Sequence, residues 1–326
     1  MTTTPGFLPP RGLRNAHLQS FLASSGPRRL VVRRRASALL SASREEILDC
    51  GKGVRLHGEY AEAQGEVRGL AVLIHGWHGN SGSAYLLAAA ATLYARGFSV
   101  FRLHLRDHGP SHHLNRELFN SVRLPEVVEA VACVAALHPH PRLFLGGFSL
   151  GGNFALRVAL HAPGRGIPLD RVMAVCPVLD PAHTMTVLGR SPIYHSYFVR
   201  KWRRALLAKL EHFPDYDYGD ELRKLRSLEQ MNAFFVPRYT DFSDSQSYLQ
   251  AYALTGERLA ALRVPSRIVT SRDDPVIPSA DLARLARPAA LAIELTEHGG
   301  HCGFLRDWRL NGWIEDRMVR YFETGE

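Results

Sequence analysis

Gly146-Gly147-Phe148-Ser149-Leu150-Gly151-Gly152-Asn153 is the stretch on which the fold turns. It closes a short apolar run, residues 142–146, and opens a helical one, residues 150–161. A serine with glycine two residues before and two residues after, between strand and helix, sits on a sharp bend. The flanking glycines let strand and helix approach without a side-chain clash, and the bend holds the serine in a strained backbone conformation. Its hydroxyl then stands above the sheet, with the helix dipole behind it. Ser149 is the candidate nucleophile, and the backbone N–H of Leu150 is a candidate oxyanion donor. The alternative is a glycine-rich turn with an incidental serine; partners elsewhere in the chain separate the two.

Working outward, residues 69–75 (GLAVLIH) form a near-continuous apolar run, as a buried parallel strand should. Residues 81–95 follow with helical character and stop at Gly97. Residues 98–105 read as the next strand and 125–137 as a helix with Pro125 in its first turn. Further strands are expected at 172–178, 266–270 and 290–295, and a last helix near 307–321. Residues 46–49 and 54–60 flank a Gly51-Lys52-Gly53 turn and read as a hairpin. Strand and helix alternate at βα spacing. The expected fold is α/β, a mostly parallel eight-stranded sheet flanked by helices.

One gap breaks the rhythm. Residues 183–257 separate two strands, and a structureless loop of that length is implausible in a compact domain. The segment is rich in aromatics, among them Tyr194, Phe198, Trp202, Phe235 and Tyr239. It reads as an inserted helical lid. The core is then 45–182 with 258–326, preceded by a basic N-terminal segment, 1–44, packed on it.

The partners of Ser149 are sought at the strand ends. His75-Gly76-Trp77-His78-Gly79 follows the strand at 69–75, and Gly76 lets the chain turn inward. The Trp77 backbone N–H is the second oxyanion donor candidate. After the strand ending at Thr270 comes Arg272-Asp273-Asp274-Pro275; after the last strand comes His298-Gly299-Gly300-His301-Cys302-Gly303-Phe304. His301 is the candidate base and Asp274 the preferred acid, with Asp273 and Asp180 as alternatives. His298 reads as a brace for the loop.

Other clusters have competing readings. His75 and His78 could be a metal pair, but no carboxylate or cysteine stands at ligand spacing; for His104, His108, His112 and His113 a metal site is one reading and a loop rim beside the pocket the plainer one. His212 and Asp217 match an acyltransferase box; with 16 histidines in the chain, one such match is expected by accident. Cys302 reads either as a reactive thiol or as a small apolar filler. No cofactor and no metal are expected.

Composition sets the outer bounds. With 326 residues, 46% hydrophobic and 22% charged, the chain is neither disordered nor fibrous. Four cysteines are too few for a disulfide framework and suit a reduced, cytoplasmic setting. The net charge is +9, yet eight arginines within residues 1–44, where no Asp or Glu occurs, account for all but one of those charges. An acid-free, arginine-rich start resembles an organelle transit peptide, but Pro5, Pro9 and Pro10 break an amphipathic helix there. A solvated basic surface is the first reading and contact with anionic membrane head groups the second. No nucleic-acid motif accompanies the charge, so no nucleic-acid partner is expected. The longest apolar stretch, 85–95, is too short to span a bilayer.

Together these motifs resemble the α/β-hydrolase superfamily, and within it the YheT-type hydrolases related to the ABHD lipid hydrolases. Arg14-Asn15-Ala16-His17-Leu18-Gln19-Ser20 resembles that branch's N-terminal N-x-H-L-Q-T signature. The loops at 75–79, 147–153, 273–275 and 298–304 resemble its oxyanion, nucleophile, acid and base motifs. Departures are Leu105-Arg106-Asp107-His108-Gly109 in place of an arginine–glycine turn, Asn232 at an acidic position, and Cys302 in place of an aliphatic residue. The resemblance implies serine esterase activity on carboxylic esters, acyl-lipids among them, without metal or cofactor. Some members transfer acyl groups to alcohols. A catalytically silent membrane-docking scaffold on the same fold is the reading from another class.

Overall fold

The computed structural model describes residues 7–24 and 26–326; Pro5 lies outside them. Eight strands form one sheet: β1 (Ser43–Asp49), β2 (Arg55–Ala61), β3 (Gly69–Ile74), β4 (Phe98–Leu103), β5 (Leu143–Phe148), β6 (Leu169–Val175), β7 (Ser266–Ser271) and β8 (Leu291–Thr296). Their order is β1-β2-β4-β3-β5-β6-β7-β8. β1 pairs antiparallel with β2 and β2 with β4; every other pairing is parallel. The two-stranded start is antiparallel because a tight glycine turn can reverse a chain, whereas each parallel pair needs a crossover.

Twelve helices accompany the sheet among the described residues. Those that follow strands of the core are α4 (Ala84–Ala95), α5 (Leu124–Leu137), α6 (Leu150–Arg165) and α12 (Ile314–Thr324). α1 (Ala16–Ser24), α2 (Gly26–Arg35) and α3 (Ser37–Ala42) precede β1. Every residue of β3, β4 and β5 is buried, so helices cover both faces. Leu70, Val72 and Ile74 of β3 pack with Val127, Val131 and Phe154 on the α5–α6 side. Ala71 and Leu73 pack with Leu86, Leu93, Met318 and Phe322 on the α4–α12 side. The period-two alternation along β3 thus sorts two apolar faces rather than core from solvent.

Between β6 and β7 five helices are inserted: α7 (Pro181–Arg190), α8 (Pro192–His212), α9 (Gly219–Lys224), α10 (Leu228–Tyr239) and α11 (Ser245–Ala251). Asp180, Ser227 and Asp244 cap α7, α10 and α11 by accepting from the backbone N–H three residues on, as expected of Asp and Ser at N-caps. Trp202, Tyr218, Phe235 and Tyr239 pack ring against ring inside the insertion.

Some boundaries differ from the sequence expectation. The last helix begins at Ile314 rather than near 307, because the Asp307 carboxylate accepts from the Asn311 backbone at 3.1 Å and from its side-chain amide at 2.6 Å, holding a turn. α4 begins at Ala84 rather than 81, since Ser83 Oγ accepts the Asn80 N–H at 3.0 Å and closes a loop first. β4 ends at Leu103, where the chain leaves the sheet toward His104.

Candidate active site

The bend after β5 is as tight as its glycines require. A methyl on Gly147 would lie 2.1 Å from the Gly151 carbonyl oxygen, and one on Gly151 would lie 2.4 Å from the carbonyls of Ile74 and His75. No side chain fits either place. Between them Ser149 has φ 54° and ψ −119°, a conformation non-glycine residues adopt only under constraint. The constraint is visible: Ser149 N–H donates to Val175 at 2.8 Å, and its carbonyl accepts from Asn153 at 3.1 Å and Val178 at 3.3 Å. Asn153, fully buried, donates in turn to the carbonyls of Val178 (2.9 Å) and Tyr252 (2.8 Å), which fastens α6 to the end of the insertion.

His301 reaches Ser149 from the loop after β8. Its Nε2 lies 3.0 Å from Ser149 Oγ, and its Nδ1 lies 2.9 Å from Asp274 Oδ2. The Asp274 carboxylate is fully buried, and its other oxygen accepts the N–H groups of Val276 (2.8 Å) and Ile277 (2.9 Å). Those two bonds fix the carboxylate in place. Burial pushes the His301 imidazole down, but the Asp274 carboxylate and Cys302, through charge and hydrogen bonding together, hold the group well above the ordinary histidine value. Asp273 points elsewhere: its Oδ1 accepts the Gly300 N–H at 2.9 Å, and its Oδ2 lies 3.5 Å from His298 Nδ1. Asp180, the third acid considered, caps α7 and pairs with Arg284.

The loop after β3 lies directly against the serine. A methyl on Gly76 would stand 3.1 Å from Ser149 Cβ, so the peptide joining Gly76 to Trp77 borders the nucleophile. Tyr85 of α4 holds the loop by accepting the Gly76 N–H at 3.0 Å. Among the described residues the Trp77 N–H has no partner, and Leu150 opens α6, whose first-turn N–H groups have no intrahelical acceptor. Both donors considered from sequence therefore border Ser149. The Trp77 indole stacks on Phe198 of α8, with centroids 5.4 Å apart, and meets the edge of Trp202.

The histidine cluster has a structural use. His75 Nε2 accepts the Leu105 N–H (3.2 Å), His104 Nε2 accepts the Ser81 N–H (3.0 Å) and His108 Nε2 accepts the His78 N–H (3.0 Å). An imidazole nitrogen that accepts a hydrogen bond carries no proton, so these rings are neutral and stitch the loop after β3 to the loop after β4. Burial, reinforced by the neighbouring imidazoles, pushes His75 and His104 down to about 3. His212 and Asp217 do not border Ser149; Asp217 accepts from Tyr239 Oη at 2.9 Å.

Cys176 and Cys302 place their sulfurs beside His301, with the three candidate ligand atoms within 4.8 Å of one another. Both nitrogens of His301 already face Asp274 and Ser149. A metal here would compete with those contacts. Despite burial, the Cys176 thiol and the His301 imidazole hold Cys302 down to about 6.

Two residues beside the base loop had no role assigned from sequence. Ser20 of α1 accepts the His301 N–H at 2.8 Å and donates to the Ala16 carbonyl at 2.7 Å. Gln19 accepts the Leu305 N–H at 2.7 Å and donates to the carbonyls of Leu305 (3.0 Å) and Leu13 (2.8 Å). The N-terminal signature is thus a clamp on the base loop. Its signal is a Gln-Ser pair inside an otherwise apolar helix, FLA following and AHL preceding.

A family model described as "Alpha/beta hydrolase family" matches residues 71–309. The chain belongs to that family. It is YheT-type within it: it is 25% identical over 329 aligned residues to "Putative esterase YheT" of Escherichia coli K12, covering 98% of this chain and 93% of that protein. It is also 22% identical to "Medium-chain fatty acid ethyl ester synthase/esterase 2" of Saccharomyces cerevisiae, over 78% of this chain but 61% of the yeast protein. Solved structures with the same fold include the Pyrococcus furiosus esterase Pf2001 (TM-score 0.57, 12% identity, 86% of this chain and 91% of that one). A 2,6-dihydroxy-pseudo-oxynicotine hydrolase (TM-score 0.60, 14% identity, 90% and 71%) is another.

Proposed function

We propose that the protein is a carboxylic ester hydrolase that works through an acyl-enzyme on Ser149, His301 and Asp274. The observation that carries this is the continuous line of contacts from Asp274 Oδ2 to His301 Nδ1 (2.9 Å) and from His301 Nε2 to Ser149 Oγ (3.0 Å). The esterase names of the two relatives support it. Ser149 Oγ attacks the ester carbonyl while His301 Nε2 takes the hydroxyl proton. The backbone N–H groups of Leu150 and Trp77 stabilise the oxyanion, each contributing about 3 kcal/mol. The intermediate collapses, the alkoxide leaves with the proton from His301, and an acyl-serine remains. Water then attacks the acyl carbon, gives a proton to His301, and the acid departs as Ser149 regains its proton. Asp274 keeps the proton on Nδ1 and stabilises the imidazolium. The insertion of α7–α11 acts as a lid, since Met185, Leu188, Phe198 and Trp202 wall the cavity that contains Ser149.

The test is hydrolysis of a butyryl ester with Ser149→Ala, alongside labelling by a fluorophosphonate. Loss of turnover and of labelling at Ser149 is expected; full activity in the variant overturns the reading. A second reading, acyl transfer to an alcohol, is favoured by the apolar walls of this cavity, which disfavour water as acceptor. Ester products formed in the presence of ethanol distinguish the two.

The basic N-terminus fits contact with an anionic membrane. Arg29, Arg33 and Arg34 of α2 are exposed and make no ion pair among the described residues, beside exposed Phe21 and Leu30. Arg29 acts on Lys201 and Tyr197 of α8, the helix whose Phe198 and Trp202 wall the Ser149 cavity. Among the described residues no helix is long and apolar enough to cross a membrane, so such contact would be at the surface.

A further inference from the structure

Two cavities, not one, lie between the sheet and the inserted helices. The first contains Ser149 and has an empty volume of about 650 Å³. The second, of about 580 Å³, has neither Ser149 nor either oxyanion donor in its wall. They share four residues: Phe119, Trp202, Asn232 and Tyr248. These four are therefore a partition, with one cavity on each side.

Trp202 is the centre of that partition. On one side its ring meets the edge of Trp77, centroids 5.4 Å apart; Trp77 borders only the Ser149 cavity. On the other it packs at 6.0 Å on Phe235, which borders only the second cavity. Asn232, which also borders both cavities, has its side-chain amide bonded to the Leu228 carbonyl at 3.0 Å and 4.0 Å from Met185 Sδ. The second cavity is lined by apolar groups, including Leu206, Phe235 and Val236, and by polar ones, among them Lys209, Asp107 and His78, whose buried Nε2 has no hydrogen-bond partner. There Lys209 Nζ bonds Asp107 at 2.7 Å and the carbonyls of Asn115 and His112. With Lys209 paired to Asp107 and the imidazole of His78 uncharged, the wall offers no free charge to a polar head group. It suits the end of a hydrocarbon chain.

We propose that the second cavity is the distal part of the acyl-binding site and that Trp202 sets how much of a linear acyl chain reaches it. The inference rests on the serine esterase reading. In the native protein Trp202 narrows the way from the first cavity to the second and so limits how far a chain attached at Ser149 extends. With a small side chain at 202 the two volumes join, and added methylene groups gain apolar contact instead of meeting the indole. Discrimination of this kind is about 10- to 200-fold per methylene group.

The experiment compares kcat/KM for p-nitrophenyl butyrate and p-nitrophenyl dodecanoate in the native enzyme, in Trp202→Ala, and in Trp202→Ala with Phe235→Trp. Trp202→Ala should raise the dodecanoate-to-butyrate ratio at least about 10-fold, and Phe235→Trp, by filling the second cavity, should return it toward the native value. Asn232→Ala removes the partition from its other side and should shift the ratio in the same direction, which covers a Trp202 variant that fails to fold. An unchanged ratio in both variants, with fluorophosphonate still labelling Ser149, overturns the proposal and leaves the esterase reading intact. Absence of labelling in the native enzyme overturns the esterase reading instead. A shift seen only with acetyl esters of long alcohols assigns the chamber to the alcohol side and also overturns it.

Discussion

Ser20 Oγ accepts the backbone N–H of His301 at 2.8 Å, across 281 positions of sequence. The residue that would take the proton from Ser149 is held in place by the first long helix of the chain. Ser20→Ala leaves that N–H unpaired, which costs about 1–3 kcal/mol, and lets the loop drift from Ser149. We expect kcat to fall about 5- to 50-fold with KM little changed, and Ser20→Thr to restore most of it, measured on a soluble ester. Gln19→Ala should act on the fold instead, lowering the melting temperature, because the Leu305 N–H loses its buried acceptor.

Asp274 and Asp273 are adjacent in sequence and opposite in use. Asp274→Asn should lower kcat about 10⁴-fold, because the amide no longer fixes the imidazole tautomer. Asp273→Asn keeps an oxygen for the Gly300 N–H and should cost less than about 10-fold. Steady-state rates of the two variants, with circular dichroism as a check on folding, compare them.

The pH dependence follows from His301. The base must be neutral to accept the Ser149 proton, so activity is lost as pH falls through its pKa. Burial alone would lower that pKa, but the Asp274 charge raises it. The acid limb of kcat/KM should therefore lie above the ordinary histidine value of about 6.5. Asp274→Asn, which removes the charge and keeps the burial, should move the limb of its residual activity to lower pH. A limb that does not move in that variant contradicts the assignment.

The glycines of the bend carry a stability prediction. Gly147→Ala places a methyl 2.1 Å from a backbone oxygen that cannot give way. A loss of about 3 kcal/mol or more is expected, read as a lower denaturation midpoint and no labelling at Ser149.

Within α2, adjacent arginines should behave oppositely. Arg28 is buried against the Glu315 carboxylate, and Arg28→Ala should cost about 3–5 kcal/mol by leaving that charge unpaired. The exposed set Arg29→Ala, Arg33→Ala and Arg34→Ala should leave stability within about 1 kcal/mol. It should weaken sedimentation with phosphatidylglycerol vesicles at low salt. Native binding that salt does not weaken, or that phosphatidylcholine vesicles match, contradicts the membrane reading.

The sequence alone determined the strand–helix alternation, the turn at 146–153 and the loops after 69–75, 266–270 and 290–295. These are local signals: unbroken apolar runs mark strands covered on both faces, and glycine at fixed offsets marks a bend that admits no Cβ. The choice of Asp274 over Asp273 rested on a preference of phase. In the structure it becomes a matter of which carboxylate faces His301 Nδ1 and which the Gly300 N–H.

Only the tertiary structure decided the rest. That Gln19 and Ser20 clamp the loop after β8, that three histidines serve as neutral acceptors, and that Trp202 stands between two cavities are all contacts between distant elements. Their energies depend on burial and on which donors lack water, and a linear pattern does not encode these. A serine on a helix reads the same whether its hydroxyl faces solvent or holds the residue that would deprotonate Ser149.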